Sequence, residues 1–313
     1  TGIRGPFSDD KMIVTNGAYS DKGVQMPVPS GTSDMTFPVG VYDKYTPVTV
    51  SVSQNNTQGT LSVIPVDEVH STVKDPYNVL QYYWWLKSSN LSDFSSVIQY
   101  HYSQEDVSVT DTSVESDYIP AYLRDTTWLK FDPNDVDATY NIVEFGLTRD
   151  TLTGYYTAGV DEAIPDNVPV YTSVQSDLWN KTTTWEVEGE EPSTEPDGNV
   201  VDIETDVTIA QNLKTAYQTH IDTTGRLDIG TTFGHYLGEV SGYGTFKQDF
   251  GNLPAGNYEE FFACDGGTMI YGGNGDYNIP NEGSTYRRLV FKGSGERTFP
   301  DNDLTICDTL LIN

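Results

Sequence analysis

From residue 37 onward, apolar and polar positions fall into the two-residue alternation of half-buried strands. The clearest runs are Val48-Thr49-Val50-Ser51-Val52 and Thr60-Leu61-Ser62-Val63-Ile64, preceded by Phe37-Pro38-Val39-Gly40-Val41 and punctuated by Asn55-Asn56 and Gly59. Strand-like runs continue at 80–86, 97–102, 118–123, 127–131, 140–145 and 154–158. Some eight or nine strands at intervals of roughly 10–20 residues predict an Ig-like β-sandwich over residues 31–165, with Trp84 as its core aromatic.

Residues 1–30 read as the end of a preceding solenoid or a linker. Across 166–198 proline and charge accumulate, ending in the acidic run Glu186-Val187-Glu188-Gly189-Glu190-Glu191, the pattern of a junction. Over 199–313 the simple alternation gives way to short apolar triplets such as Val200-Val201-Asp202-Ile203, Val207-Thr208-Ile209 and Thr268-Met269-Ile270-Tyr271. Their return about every 20 residues, with Gly, Asn and Asp between them, predicts a right-handed parallel β-solenoid. Only residues 212–218 suggest a helical turn. The chain as a whole is expected to be all-β.

Composition sharpens this picture. An aromatic share of 12% with 21 tyrosines argues against disorder, although the hydrophobic fraction is only 36%. Lys+Arg number 17 against Asp+Glu 46, a formal charge of −29, which excludes a nucleic-acid partner and disfavours docking on an anionic membrane. No apolar run approaches the ~18 residues of a membrane span, so no membrane insertion is expected. Thr1-Gly2-Ile3-Arg4 opens with neither Met nor an apolar signal core, as a mature or excised fragment would.

Several motifs follow one another in a fixed order. Tyr83-Trp84, Tyr102…Asp106-Val107, Ala121-Tyr122…Trp128 and Tyr156-Thr157-Ala158-Gly159 span 78–159. Trp179…Thr184-Trp185…Pro196-Asp197-Gly198, the Gly-His-x-Leu-Gly run at 234–238, Leu253-Pro254-Ala255-Gly256 and Gly293-Ser294-Gly295 span 179–313. In this order the chain resembles repeat segments of the giant surface proteins of Bacteroidota, gliding-motility adhesins among them: a sandwich module first, then their solenoid. Met12-Ile13-Val14-Thr15 is similar to the last rung of a preceding solenoid. The resemblance implies type IX export, an extracellular cell-surface location, and a structural or adhesive role in a long filament. Implied partners are neighbouring repeats of the same polypeptide, surface glycans and other surface proteins. Triplets at Asp125, Asp150, Asp222 and Asp308 match the Asp-Ser/Thr-apolar O-glycosylation pattern implied for this phylum.

Candidate chemistry is sparse. HExxH, GxSxG and P-loop motifs are missing from the sequence, and His70, His101, His220 and His235 lie far apart, so no enzyme is expected. His235 is expected to pack between rungs. Arg287-Arg288 with Asp276, Asp301 and Asp303 is the one set that a glycan-cleaving β-helix enzyme could use; a carbohydrate-binding module with exposed aromatics is the other alternative. No cofactor is expected except calcium, for which Asp132, Asp135 and Asp137 supply hard oxygens in one short turn. A second acidic stretch comprises Asp197, Asp202, Glu204 and Asp206. Cys264 and Cys307 lie about two rungs apart, and an exported chain meets an oxidising compartment, so they are expected to form a disulfide.

Overall fold

The computed structural model describes residues 5–19, 21–107, 112–148, 151–280, 283–301 and 303–313; Asp150 of the glycosylation triplets falls outside them. The chain divides into two compact units, Thr1–Val168 and Pro169–Asn313.

The first unit is built on two antiparallel sheets. One runs in the order Thr127–Lys130, Tyr118–Arg124, Gly154–Val160, Tyr83–Ser89, Gly59–Val66, Val24–Val28. The other runs Val136–Asp137, Ile142–Thr148, Ser95–His101, Val48–Gln54, Ser33–Phe37. Alternation sends Val48, Val50, Ile98, Tyr100, Val143 and Phe145 from one sheet against Leu61, Val63, Trp84, Tyr122 and Tyr156 from the other, all fully buried. The centre is aromatic: Tyr100 lies 5.0 Å from Trp84 and 5.2 Å from Tyr156, and Phe145 meets Tyr156 edge-on at 5.1 Å.

The run Tyr82-Tyr83-Trp84-Trp85-Leu86 is buried on both faces of its strand. Tyr82, Trp84 and Leu86 enter the inter-sheet core, while Tyr83 and Trp85 point the other way under a second aromatic layer. In that layer Trp85 is stacked between Tyr19 at 4.7 Å and Tyr155 at 5.4 Å. His70 sits within 5.3 Å of Tyr83, Tyr155 and Trp128, and the Trp128 Nε1–H donates to Thr72 Oγ1. Burial drives the His70 imidazole down to a pKa of about 3, so it is neutral.

Residues 1–30 do more than precede the sandwich. Val24–Val28 is its edge strand, antiparallel to Gly59–Val66, and Val28 is fully buried. Pro27 is tolerated there because an edge strand needs hydrogen bonds on one side only. Ile13–Thr15 pairs in parallel with Val39–Val41 in a small sheet completed by Lys44–Tyr45.

The second unit is a parallel β-solenoid of about five turns. One face runs Val170–Ser173, Val200–Ile203, Gln218–Ile221, Tyr236–Gly242, Ala255–Asn257; the other runs Asp177–Leu178, Asp206–Thr208, Arg226–Asp228, Thr245–Gln248, Thr268–Tyr271, Thr285–Phe291, Thr305–Ile312. In-register pairing stacks like on like. Val207, Leu227, Phe246, Met269 and Leu289 form one buried column, each paired with the next.

Two expectations are corrected. Residues 166–198 are not simply a junction: Val170–Ser173 and Asp177–Leu178 pair in parallel with the strands of the next turn, so the solenoid begins near 170 rather than 199. Trp179 and Trp185, edge to face at 5.1 Å, fill this first turn. The acidic run folds into a tight turn with Glu188 and Gly189 at positive φ, closed by Val187 and Glu190. Residues 212–218 form no helix. Leu213 has a φ of 62°, and the backbone N–H groups of Leu213 and Ala216 donate to Phe233 and Tyr236 one turn away. Bonds between turns take the donors that a helix would have used internally.

Candidate functional site

The proposed calcium turn does not gather its carboxylates. Asp132 caps a 3-10 turn by accepting from the Asn134 backbone N–H at 2.9 Å, and Asp137 accepts from the N–H groups of Thr139 and Tyr140. The Asp135 carboxyl is pushed up by burial and by the neighbouring charges of Asp132 and Glu144. Among the described residues no group of three or more His, Cys, Asp or Glu side chains is placed to hold a metal ion. The second acidic stretch is likewise dispersed. Asp197 accepts from the Thr215 hydroxyl, while burial raises the Asp202 pKa.

Arg287-Arg288 and its carboxylates do not converge either. Arg287 donates to the Gly266 carbonyl, Arg288 pairs with Asp308 at 3.5 Å, and Asp276 accepts from the Glu296 N–H. His235, buried between turns, accepts the Lys214 backbone N–H at Nδ1, which leaves Nε2 to face Thr232 Oγ1 at 3.0 Å as the donor. Burial lowers its pKa, in keeping with that neutral tautomer. Cys264 and Cys307 are disulfide-bonded, with their Cα atoms 5.3 Å apart across 43 residues of chain. The bond ties the loop before Thr268–Tyr271 to the last strand, Thr305–Ile312, spanning the turn between them.

Two arrangements escape a reading of the sequence alone. The first is a polar cleft of about 730 Å³ in the solenoid, whose lining includes Tyr171, Asn180, Glu195, Asp197, Leu213 and Lys214. Lys214 Nζ pairs with Glu195 at 2.8 Å. Hydroxyl, amide and charged groups at one mouth suit a ligand rich in hydroxyls.

The second is a lysine held by two aspartates in the sandwich unit. Lys44 Nζ lies 2.7 Å from Asp67 Oδ1 and 2.7 Å from Asp106 Oδ1. Backbone bonds fix all three. Lys44 follows a two-residue turn from its partner Val41, the Asp67 N–H donates to Gly17, and the Asp106 N–H and C=O bond Ser103 and Gln81. The Asp106 side chain is 1% exposed, against 19% for Lys44 and 27% for Asp67. Among the described residues its Oδ2 is buried without a hydrogen-bond partner. Burial pushes the Asp106 carboxyl up and Lys44 only partly offsets this. Burial pulls Lys44 down, but its hydrogen bonds to Asp106 and Asp67 outweigh that and raise it. The sequence carried half a signal: Asp106 sits between the apolar Tyr102 and Val107, whereas nothing near Lys44 marks its partners.

No family model, no curated protein and no solved structure matches this chain. Among the described residues, no helix is long and apolar enough to cross a membrane.

Proposed function

We propose that the chain is a non-enzymatic structural and adhesive segment of a long extracellular surface protein, neighbouring repeats being its immediate partners. The observation that carries this reading is the in-register parallel ladder of the solenoid, secured by the Cys264–Cys307 bond. A parallel ladder resists sliding because each turn is hydrogen-bonded along its length to the next, and disulfides persist in oxidising, extracytoplasmic surroundings. The basic and acidic residues with the best claim to chemistry, Arg287, Arg288 and Asp276, are bonded instead to loops and strands of the solenoid itself. The excess of acidic side chains keeps neighbouring molecules apart and hydrated. The test is protease shaving and antibody labelling of intact cells that produce the protein. Labelling before lysis supports the reading, and labelling only after lysis overturns it.

A second reading, carbohydrate binding, is favoured by the cleft at Tyr171, Glu195 and Lys214. It predicts binding on a glycan array that Lys214→Ala weakens; no binding to any glycan would remove it.

A further inference from the structure

A half-buried lysine touching two carboxylates is an ion-pair cluster with an imbalance. Three ionisable groups meet, one acidic oxygen has no partner among the described residues, and the most deeply buried of the three is Asp106. Charges in such a place are costly, and any rearrangement that removes them is favoured. One proton transfer along the 2.7 Å contact turns the Lys44 ammonium and Asp106 carboxylate into a neutral amine beside a neutral carboxylic acid. That pair is a nucleophile and an electrophile already in contact, held by backbone on both sides, so the encounter entropy has been spent in folding.

We propose that Lys44 and Asp106 condense to an intramolecular amide, an isopeptide cross-link within the sandwich unit, with Asp67 as the carboxylate that moves the protons. The Lys44 nitrogen lone pair attacks Asp106 Cγ to form the C–N bond. Asp67, hydrogen-bonded to the same nitrogen, accepts the proton that the nitrogen then sheds and returns it to the departing hydroxyl. The C–O bond breaks and one water leaves. No oxidant, cofactor or second molecule takes part. The oxygen that receives the proton is Oδ1, the one in contact with Lys44, and it departs in that water, while Oδ2 remains as the carbonyl oxygen of the amide. The raised pKa of Asp106 supports the same direction, since it keeps the acid form within reach. The link would join the hairpin after Val39–Val41 to the turn that follows Ser95–His101, closing a loop between positions 62 residues apart.

The test is the intact mass of the purified full chain, measured denatured and reduced. The expected result is a mass one water below the sequence mass, with proteolysis yielding a branched peptide that joins the segments of Lys44 and Asp106. Lys44→Ala restores the sequence mass. Asp67→Asn lowers the linked fraction severalfold after equal incubation. Asp106→Asn, which can expel ammonia instead of water, yields the same branched peptide. A wild-type chain at its full sequence mass, with the two peptides separate, overturns the proposal whether or not the variants fold. So does a water loss that survives in Lys44→Ala, which would place it at a cyclised aspartate elsewhere.

Discussion

The sandwich and the solenoid both exclude water with apolar side chains, yet the partners come from different distances along the chain. In the sandwich Trp84 meets Tyr100 on the next strand, but Tyr100 also meets Tyr156 and pairs with Val48, 56 and 52 residues away along the chain. In the solenoid Val207 meets Leu227, Leu227 meets Phe246 and Phe246 meets Met269, always about one turn of roughly 20 residues onward. A core of the first kind is assembled all at once, whereas one of the second kind can be lost turn by turn. The staples differ in the same sense. The solenoid is tied at its last strand by a disulfide, and the sandwich by a second aromatic layer over Trp85.

The largest effect should come from breaking the aromatic centre. Trp84→Ala is expected to cost about 3–5 kcal/mol and to weaken the sandwich as a whole, read by chemical denaturation and by hydrogen exchange across both of its sheets. Exchange confined to the strand at Tyr83–Ser89 would contradict the contrast drawn here. Next, Cys264→Ser with Cys307→Ser should remove roughly 3–4 kcal/mol by freeing the 43-residue loop. The faster exchange should be concentrated in the last two strands, Thr285–Phe291 and Thr305–Ile312. Uniform loss along the whole solenoid would mean that its turns are more strongly coupled than the column of paired residues implies.

A smaller effect follows from His70. Its native pKa of about 3 lies below the unfolded value of 6.5, so the unfolded chain binds the proton more readily. Its contribution is fully present above pH 6.5 and is lost as pH falls toward 3, at up to about 1.4 kcal/mol per pH unit. Melting temperature measured between pH 7 and pH 5 should fall more steeply in the wild type than in His70→Phe. Equal slopes would show that the imidazole is not held neutral. Chelation ranks last. With Asp132 and Asp137 already occupied in capping their turns, EDTA is expected to leave the melting temperature unmoved, and a clear drop would restore calcium at Asp132, Asp135 and Asp137.

How far the sequence revealed this depended on whether one segment sufficed. Alternation at Val48–Gln54 and the recurring triplets are local patterns repeated many times, and the all-β architecture follows from them. The start of the solenoid was hidden because Val170–Ser173 is short and flanked by proline and acid, and because its first turn is filled by Trp179 and Trp185 instead of branched aliphatics. The strand at Val24–Val28 carries a proline that argues against a strand until its partner at Gly59–Val66 is known. The Lys44 triad left only the half signal at Asp106 in the sequence. Its members come from a two-residue strand at Lys44–Tyr45, the residue after Gly59–Val66 and a 3-10 turn at Gln104–Asp106, and carboxylates are so common in this chain that two of them beside one lysine leave no mark in composition.

The placement of the tryptophans gives each unit its own emission. Trp84, Trp85 and Trp128 lie in the first unit, and Trp179 and Trp185 lie in the first turn of the solenoid. Trp85, stacked on two tyrosines with the Lys87 ammonium 3.8 Å above its ring, sits in a polarised setting that shifts its fluorescence from that of a ring in a plain apolar core. With Trp84, Trp85 and Trp128 replaced by phenylalanine, the remaining light would come from one end of the solenoid. The order in which its turns come apart could then be timed from that end.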